Sequence, residues 1–389
     1  MELHHLDVFE TSHFIYFPIM CCDCTLSSTV YTDIIDGKVA NANRNEHEEA
    51  EGDKHMSERL IEETRNGWLE CEHLGSICGV DGSGRIVYAV GDMERPRFLR
   101  SAGKPLQAIP VVRSGALEHY GLHARDLAIM LASHRGEPVH MDTLAHIMQS
   151  TGIEQQELIC QASYPLHDQS KEEWIRHGGY KEKRFHNCSG KHLGVLAWCQ
   201  HAGYDKARYA DAEHPAQQEI AACIAEMSMT RPEELGTGVD GCGFPVLALP
   251  LPAIARAYLH IACPEKLADA SMRTAVERVR EAMIQYPLLV GGTGRLDSVL
   301  MEDDNITAKG GFKGIFGFSL REEQLGFAVK IDDGNDEECA YVVTEILQQI
   351  GYRRNETIKR LKETFPIDIH NDQGVAVGSR RPVFRLERG

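Results

Sequence analysis

The sequence is short of basic residues: 41 Lys and Arg stand against 58 Asp and Glu, for a net charge of −17. That balance speaks against nucleic acid and anionic membranes as partners, since both are polyanions. The acidic side chains are scattered over helical faces, as ordinary solvated surface. No stretch approaches the ~20 apolar residues that a membrane-spanning helix needs. The longest early apolar run, 14–22, has no Lys or Arg before it and contains Pro18, so it fails as a secretory signal. No internal repeat is visible. The 12 cysteines lack the spacing of a small disulfide framework, and a chain of 389 residues needs no such staples. A reducing cytoplasm is therefore expected, with most thiols buried as small apolar groups.

At 42% apolar content the chain can still build a sizeable core. Residues 1–55 read differently from the rest. Cys21, Cys22 and Cys24 crowd there, and 41–54 is polar and acidic with no apolar face to bury. A poorly ordered extension is expected over 1–55, with Met56 an alternative natural start, and a globular body over 56–389. That body opens with a hairpin, 73–80 and 85–90, around the turn Asp81-Gly82-Ser83-Gly84. Helical spacing predicts helices over 102–119, 124–132, 137–151, 189–202, 214–228 and 265–284. Pro105 suits a first turn, and Pro110 should kink or interrupt the helix beyond it. Strands are expected over 305–309, 313–319, 325–331 and 374–386, and a helix over 335–350 capped by Asn335. The fold class implied is α/β (α+β): an antiparallel sheet from both chain ends, packed with a central helical region at about 102–284.

Several short segments carry chemistry. Ser101 and Lys104 stand three apart at a predicted helix start, and a lysine without its proton can activate a serine hydroxyl. Taken alone, Ser-x-x-Lys is a common chance match. Ser133-His134-Arg135-Gly136-Glu137-Pro138 puts a hydroxyl on a loop rim, or simply caps a helix. His186–His192 and Gly238–Pro245 bring thiols, an amine, imidazoles and Asp240 together. Thiolate and nitrogen donors suit zinc, and an aspartate can orient a bound water. Neither segment has the paired Cys-x-x-Cys spacing, so Cys188 and Cys242 read equally well as core. Ala308-Lys309-Gly310-Gly311 lets backbone approach a ligand closely, or forms a surface turn. Residues 330–334 read as a turn into the next helix.

Together and in this order, these segments resemble the rhizobial-type L-asparaginases, the bacterial asparaginase II family. The strings are FLRSAGKP (98–105), ASHRGEP (132–138), HNCSGKHLG (186–194), GVDGCGFPVLALPL (238–251), AKGG (308–311) and GFAVKIDDG (326–334). The resemblance implies a serine β-lactamase-like fold, a homodimer, and hydrolysis of L-asparagine to L-aspartate and ammonia. It implies two serine–lysine couples: Ser101 as nucleophile with Lys104 as base, and Ser133 with Lys309 assisting. It also implies zinc on Cys188, Lys191 and Cys242, with Asp240 acting through a water. Arg100 and His134 are the candidates for holding substrate, the first by gripping the α-carboxylate. The chain departs from the family at Phe312-Lys313, where Ala-Glu is usual, and at Arg135, where a small residue is commoner. Three rivals share parts of this reading: a β-lactamase-like hydrolase of other amides or esters, a non-catalytic zinc- or amino-acid-binding scaffold, and catalysis by Cys188 as a thiol nucleophile.

Overall fold

A computed structural model describes residues 56–388. The expected disorder of 1–55 and the fate of Cys21, Cys22 and Cys24 lie outside the described residues. Twelve strands are present among them: β1 (Glu58–Arg65), β2 (Trp68–Val80), β3 (Ile86–Val90), β4 (Arg97–Phe98), β5 (Gly236–Val239), β6 (Pro245–Leu249), β7 (Ile306–Gly311), β8 (Ile315–Leu320), β9 (Leu325–Ile331), β10 (Asp368–His370), β11 (Ala376–Pro382) and β12 (Glu387–Arg388). Nine form one antiparallel sheet in the order β10-β11-β1-β2-β9-β8-β7, with β3 pairing both β2 and β12. Strands from the two chain ends thus meet at β1–β11 and β2–β9. The residues between β3 and β7 are mostly helical, apart from the small sheet β4-β6-β5. This is the mixed class expected, with its antiparallel sheet built from both ends. No helix of the described residues is long and apolar enough to cross a membrane.

The core lies between the large sheet and the helix Leu251–Ala262. Arg256 and His260, one turn apart, give that helix a narrow polar stripe, and it is otherwise buried all round. It lies so close to β8 that a Cβ at Gly317 would fall 2.1 Å from the Tyr258 ring. Phe318 and Phe327 stack behind it at 4.9 Å.

Local signals held where turn chemistry is strong. The Asp81 carboxylate accepts from the Ser83 amide (2.8 Å) and closes the β2–β3 hairpin. The helix Ser189–Ala202 has the expected bounds. Pro110 lies inside the helix Lys104–Arg113, and the stretch predicted over 102–119 breaks soon after it, resuming as Ala116–His119. The Leu106 carbonyl that a proline at 110 leaves without its amide instead accepts the Cys223 S–H at 3.7 Å. The helix predicted from 335 begins at Cys339 with Glu338 at its cap, because the Asn335 side chain accepts the Glu337 amide and holds 335–338 as a turn.

Candidate active site

Ser101 is delivered by β4. That strand pairs with β6, and the chain then turns through a short 3₁₀ segment, Arg100–Gly103, into the helix Lys104–Arg113. Arg100 enters at φ 48°, the left-handed region that a non-glycine residue adopts at a cost of roughly 1–2 kcal/mol. Gly311, at the end of β7, packs against this turn so closely that a Cβ would lie 2.8 Å from the Leu99 carbonyl and 3.0 Å from the Ala102 amide. Ser101, Ser133, Lys309 and Gly311 share the wall of one cavity of about 500 Å³.

Lys104 lies beneath that wall, 1% exposed. Its Nζ is 2.6 Å from the Ala132 carbonyl, 3.3 Å from the Asn187 carbonyl and 3.2 Å from Ser133 Oγ. Burial lowers its pKa from the ordinary lysine value; Lys191 and Lys309 add to this, while Cys188 opposes it. Lys309, also 1% exposed, projects from β7 to an ion pair with Asp297 Oδ2 at 2.6 Å. The Asp297 Oδ1 accepts the Gly310 amide at 2.6 Å. The Tyr258 hydroxyl donates to the Ala102 carbonyl (2.7 Å) and reaches the Lys309 carbonyl (3.3 Å), tying the two lysine-bearing segments together.

The pairing therefore differs from the expected couples. Lys104 meets the hydroxyl of Ser133, Lys309 meets a carboxylate, and the Ser101 hydroxyl bonds neither lysine. Ser101 and Lys104 flank one 3₁₀ turn, in which residues three apart lie on the same side, so spacing does not separate them. The Lys104 amine is drawn away by the Ala132 and Asn187 carbonyls and by Ser133 Oγ.

His134 is not placed to touch substrate. It is fully buried; Nδ1 accepts the Gly136 amide (3.2 Å), which leaves Nε2 to donate to Ser189 Oγ (2.8 Å). Burial, with His140 nearby, pushes its pKa well below the usual value, so it is a neutral brace for the loop after Ser133. Arg100 does not line the cavity. Its Nη2 pairs with Asp240 Oδ1 at 2.8 Å and its guanidinium lies over the Phe312 ring. Besides Lys309 and Asp297, the charged cavity lining is Arg135, Arg295, Asp336 and Glu337, which the sequence did not single out or valued differently. No local signal marks Asp297, Arg295 or Tyr258, which come from helices or their caps and reach the site only through tertiary packing.

The thiol residues do converge. Cys188 precedes the helix Ser189–Ala202, Lys191 lies in its first turn, and Cys242 sits in the β5–β6 turn. Gly243 permits that turn with φ 91°. Lys191 Nζ lies 3.2 Å from Cys242 Sγ and 4.2 Å from the centre of the Phe244 ring. The hydrogen bond from Cys242 draws the Cys188 pKa well below the thiol range, with Lys104 and Lys191 assisting against burial. Burial acts to lower Lys191, but the thiolate side of the cluster outweighs it and raises the ammonium's pKa. Two sulfurs and an amine, all buried, form a donor set that fits zinc, provided Lys191 gives up its proton on binding. Asp240 is engaged by Arg100 and by the Gly241 amide.

Fold and cavity, taken with the family comparison, place this chain among the amidohydrolases. The L-asparaginase II family model matches residues 61–382, and the chain belongs to that family. Among curated proteins no sequence matches. Solved structures with some likeness include a putative β-lactamase from Bacteroides dorei (14% identity, 71% of this chain and 93% of that one, TM-score 0.37). A β-lactamase from Mycobacterium bovis (12%, 70% and 94%, 0.38) and a probable glutaminase from Bacillus subtilis complexed with 6-diazo-5-oxo-L-norleucine (13%, 70% and 83%, 0.33) are similar to the same extent. At these scores the likeness carries no weight for activity.

Proposed function

We propose that this protein is an L-asparaginase that hydrolyses the side-chain amide of L-asparagine to L-aspartate and ammonia through a serine activated by a neutral lysine. The observation that carries the reading is the environment of Lys104. A neutral amine has two N–H groups and one lone pair. Two carbonyls engage the N–H groups, which leaves the lone pair for the Ser133 hydroxyl. A charged ammonium would be held at high cost at this depth.

In the proposed reaction, Ser101 Oγ attacks the side-chain carbonyl carbon, and its proton passes to Lys104 by way of Ser133. The amide nitrogen leaves as ammonia after Ser133 returns that proton, and water then cleaves the ester to give aspartate. The Ala102 amide is spent on the Leu99 carbonyl (3.0 Å), so the candidate donors to the oxyanion are other backbone N–H groups where the Ser101 turn meets the end of β7. The Lys309–Asp297 pair fixes charge at the cavity wall. Arg295, with Arg135 beside it, holds the α-carboxylate in place of Arg100, and Asp336 and Glu337 face the α-ammonium. Arg100, locked to Asp240, positions the Ser101 turn. Cys188, Lys191 and Cys242 would hold zinc, which as a Lewis acid would supply positive charge behind Lys104. A homodimer is part of the same reading.

Ammonia release from L-asparagine by the purified chain tests this, with L-glutamine and a chromogenic β-lactam alongside. A wild-type rate indistinguishable from that of Ser101→Ala would sink it.

A further inference from the structure

On the far side of the loop 332–338 lies a second cluster that the proposed reaction does not use. His73 on β2 is 4% exposed and Glu338 is fully buried. Glu63 comes from β1 and Arg380 from β11. His73 Nδ1 lies 2.5 Å from Asp333 Oδ2. A carboxylate accepts only, so Nδ1 donates to Asp333 and Nε2 is the ring nitrogen left over. That nitrogen faces Glu63 Oε1 at 3.9 Å and Glu338 Oε1 at 4.0 Å, with no hydrogen bond to either. Both His73 Nε2 and Glu338 Oε2 are buried without a partner.

Two polar atoms, His73 Nε2 and Glu338 Oε2, thus lie buried and unpartnered beside Glu63, and a cation held between the three side chains would satisfy both. Arg380 supplies one positive charge, with Nε 2.7 Å from Glu63 Oε1 and 3.3 Å from Glu338 Oε1. The donor atoms of Glu63, His73 and Glu338 all lie within 4.8 Å of one another. Ligands of a tetrahedral divalent ion stand about 3.4 Å apart, so the side chains must draw in by up to about 1.4 Å to hold one, with the fourth position left to water. The hydrogen bond from the opposite ring nitrogen to Asp333 is the usual way a metal-binding imidazole is oriented.

We propose that Glu63, His73 and Glu338 form a second divalent-metal site, of nitrogen and oxygen donors, with Asp333 orienting the imidazole. Arg380 keeps Glu338 Oε1 while Oε2 turns to the ion. The site joins β1 and β2 to the loop 332–338, whose Asn335, Asp336 and Glu337 line the cavity. An ion here would clamp that wall from behind. The metal site stands or falls independently of the asparaginase reading.

Zinc and cobalt titrations of the chelator-stripped full chain test it, by calorimetry and visible absorption. In a Cys188→Ser/Cys242→Ser background, one equivalent of Co²⁺ should still bind, without a thiolate charge-transfer band, and should raise Tm. Adding His73→Ala or Glu338→Gln should abolish that binding, and Asp333→Asn should weaken it about 10–100-fold. If the double-serine background fails to fold, the wild-type chain gives the same answer: a second cobalt equivalent lacking the thiolate band, lost in His73→Ala. The proposal is overturned if cobalt stoichiometry and affinity are the same with and without His73 and Glu338, or if no thiolate-free equivalent binds.

Discussion

The amine of Lys104 sits 3.2 Å from the hydroxyl of Ser133, although the two stand 29 positions apart along the chain. Ser101, three residues away in sequence, is bonded to neither lysine. If Ser133 relays the nucleophile's proton, Lys104→Met and Ser133→Ala should each lower kcat for ammonia release about 10²–10⁴-fold. Ser101→Ala should lower it at least as far. Pre-steady-state mixing would show a burst of ammonia in wild type and none in Ser101→Ala. A burst that survives in Ser101→Ala and vanishes in Ser133→Ala would transfer the nucleophile to residue 133.

The direction of the Lys104 shift sets the pH profile. Burial lowers its pKa, the reaction needs the neutral amine, and the amine is neutral above that pKa. Activity should therefore rise with pH through an acid limb that lies below the ordinary lysine value. A kcat/KM profile that climbs only near the ordinary lysine value of 10.5 would contradict it.

Breaking the Lys309–Asp297 pair leaves a buried ammonium without its carboxylate. Asp297→Asn should cost about 3–5 kcal/mol of stability, the usual penalty for an orphaned buried charge, and should loosen the end of β7. Denaturant melts measure the first effect, and the second appears as faster amide exchange over 306–311.

Tyr258→Phe isolates a positioning role. Its loss leaves the Ala102 carbonyl without its 2.7 Å donor, worth about 1–3 kcal/mol when buried. Because the same hydroxyl reaches the Lys309 carbonyl, kcat should fall several-fold with little change in KM. An equal rise in KM would assign Tyr258 to substrate binding.

The two arginine assignments separate kinetically. Arg295→Ala should raise KM for L-asparagine tenfold or more with kcat nearly unchanged, as expected for removal of uniform binding. Arg100→Ala frees Asp240 and the turn before Ser101, so it should lower kcat. The reverse pattern would restore Arg100 as the carboxylate grip.

Features legible in the chain before folding are local or motif-borne. The Asp81 turn and the helix Ser189–Ala202 are of this kind, because turn chemistry and periodicity depend on near neighbours. The collection of Ser101, Ser133 and Lys309 on one wall was expected only through the family resemblance of their strings. The convergence of Cys188, Lys191 and Cys242 was legible only through resemblance, since nothing in their spacing required it. Packing of distant segments settled which amine faces which hydroxyl. It set Asp297 against Lys309, moved Arg100 from the cavity to Asp240, and sealed His134 in the core. Those outcomes depend on side chains from remote parts of the chain sharing a buried volume. There the cost of an unpaired charge selects the partner, and sequence separation plays no part.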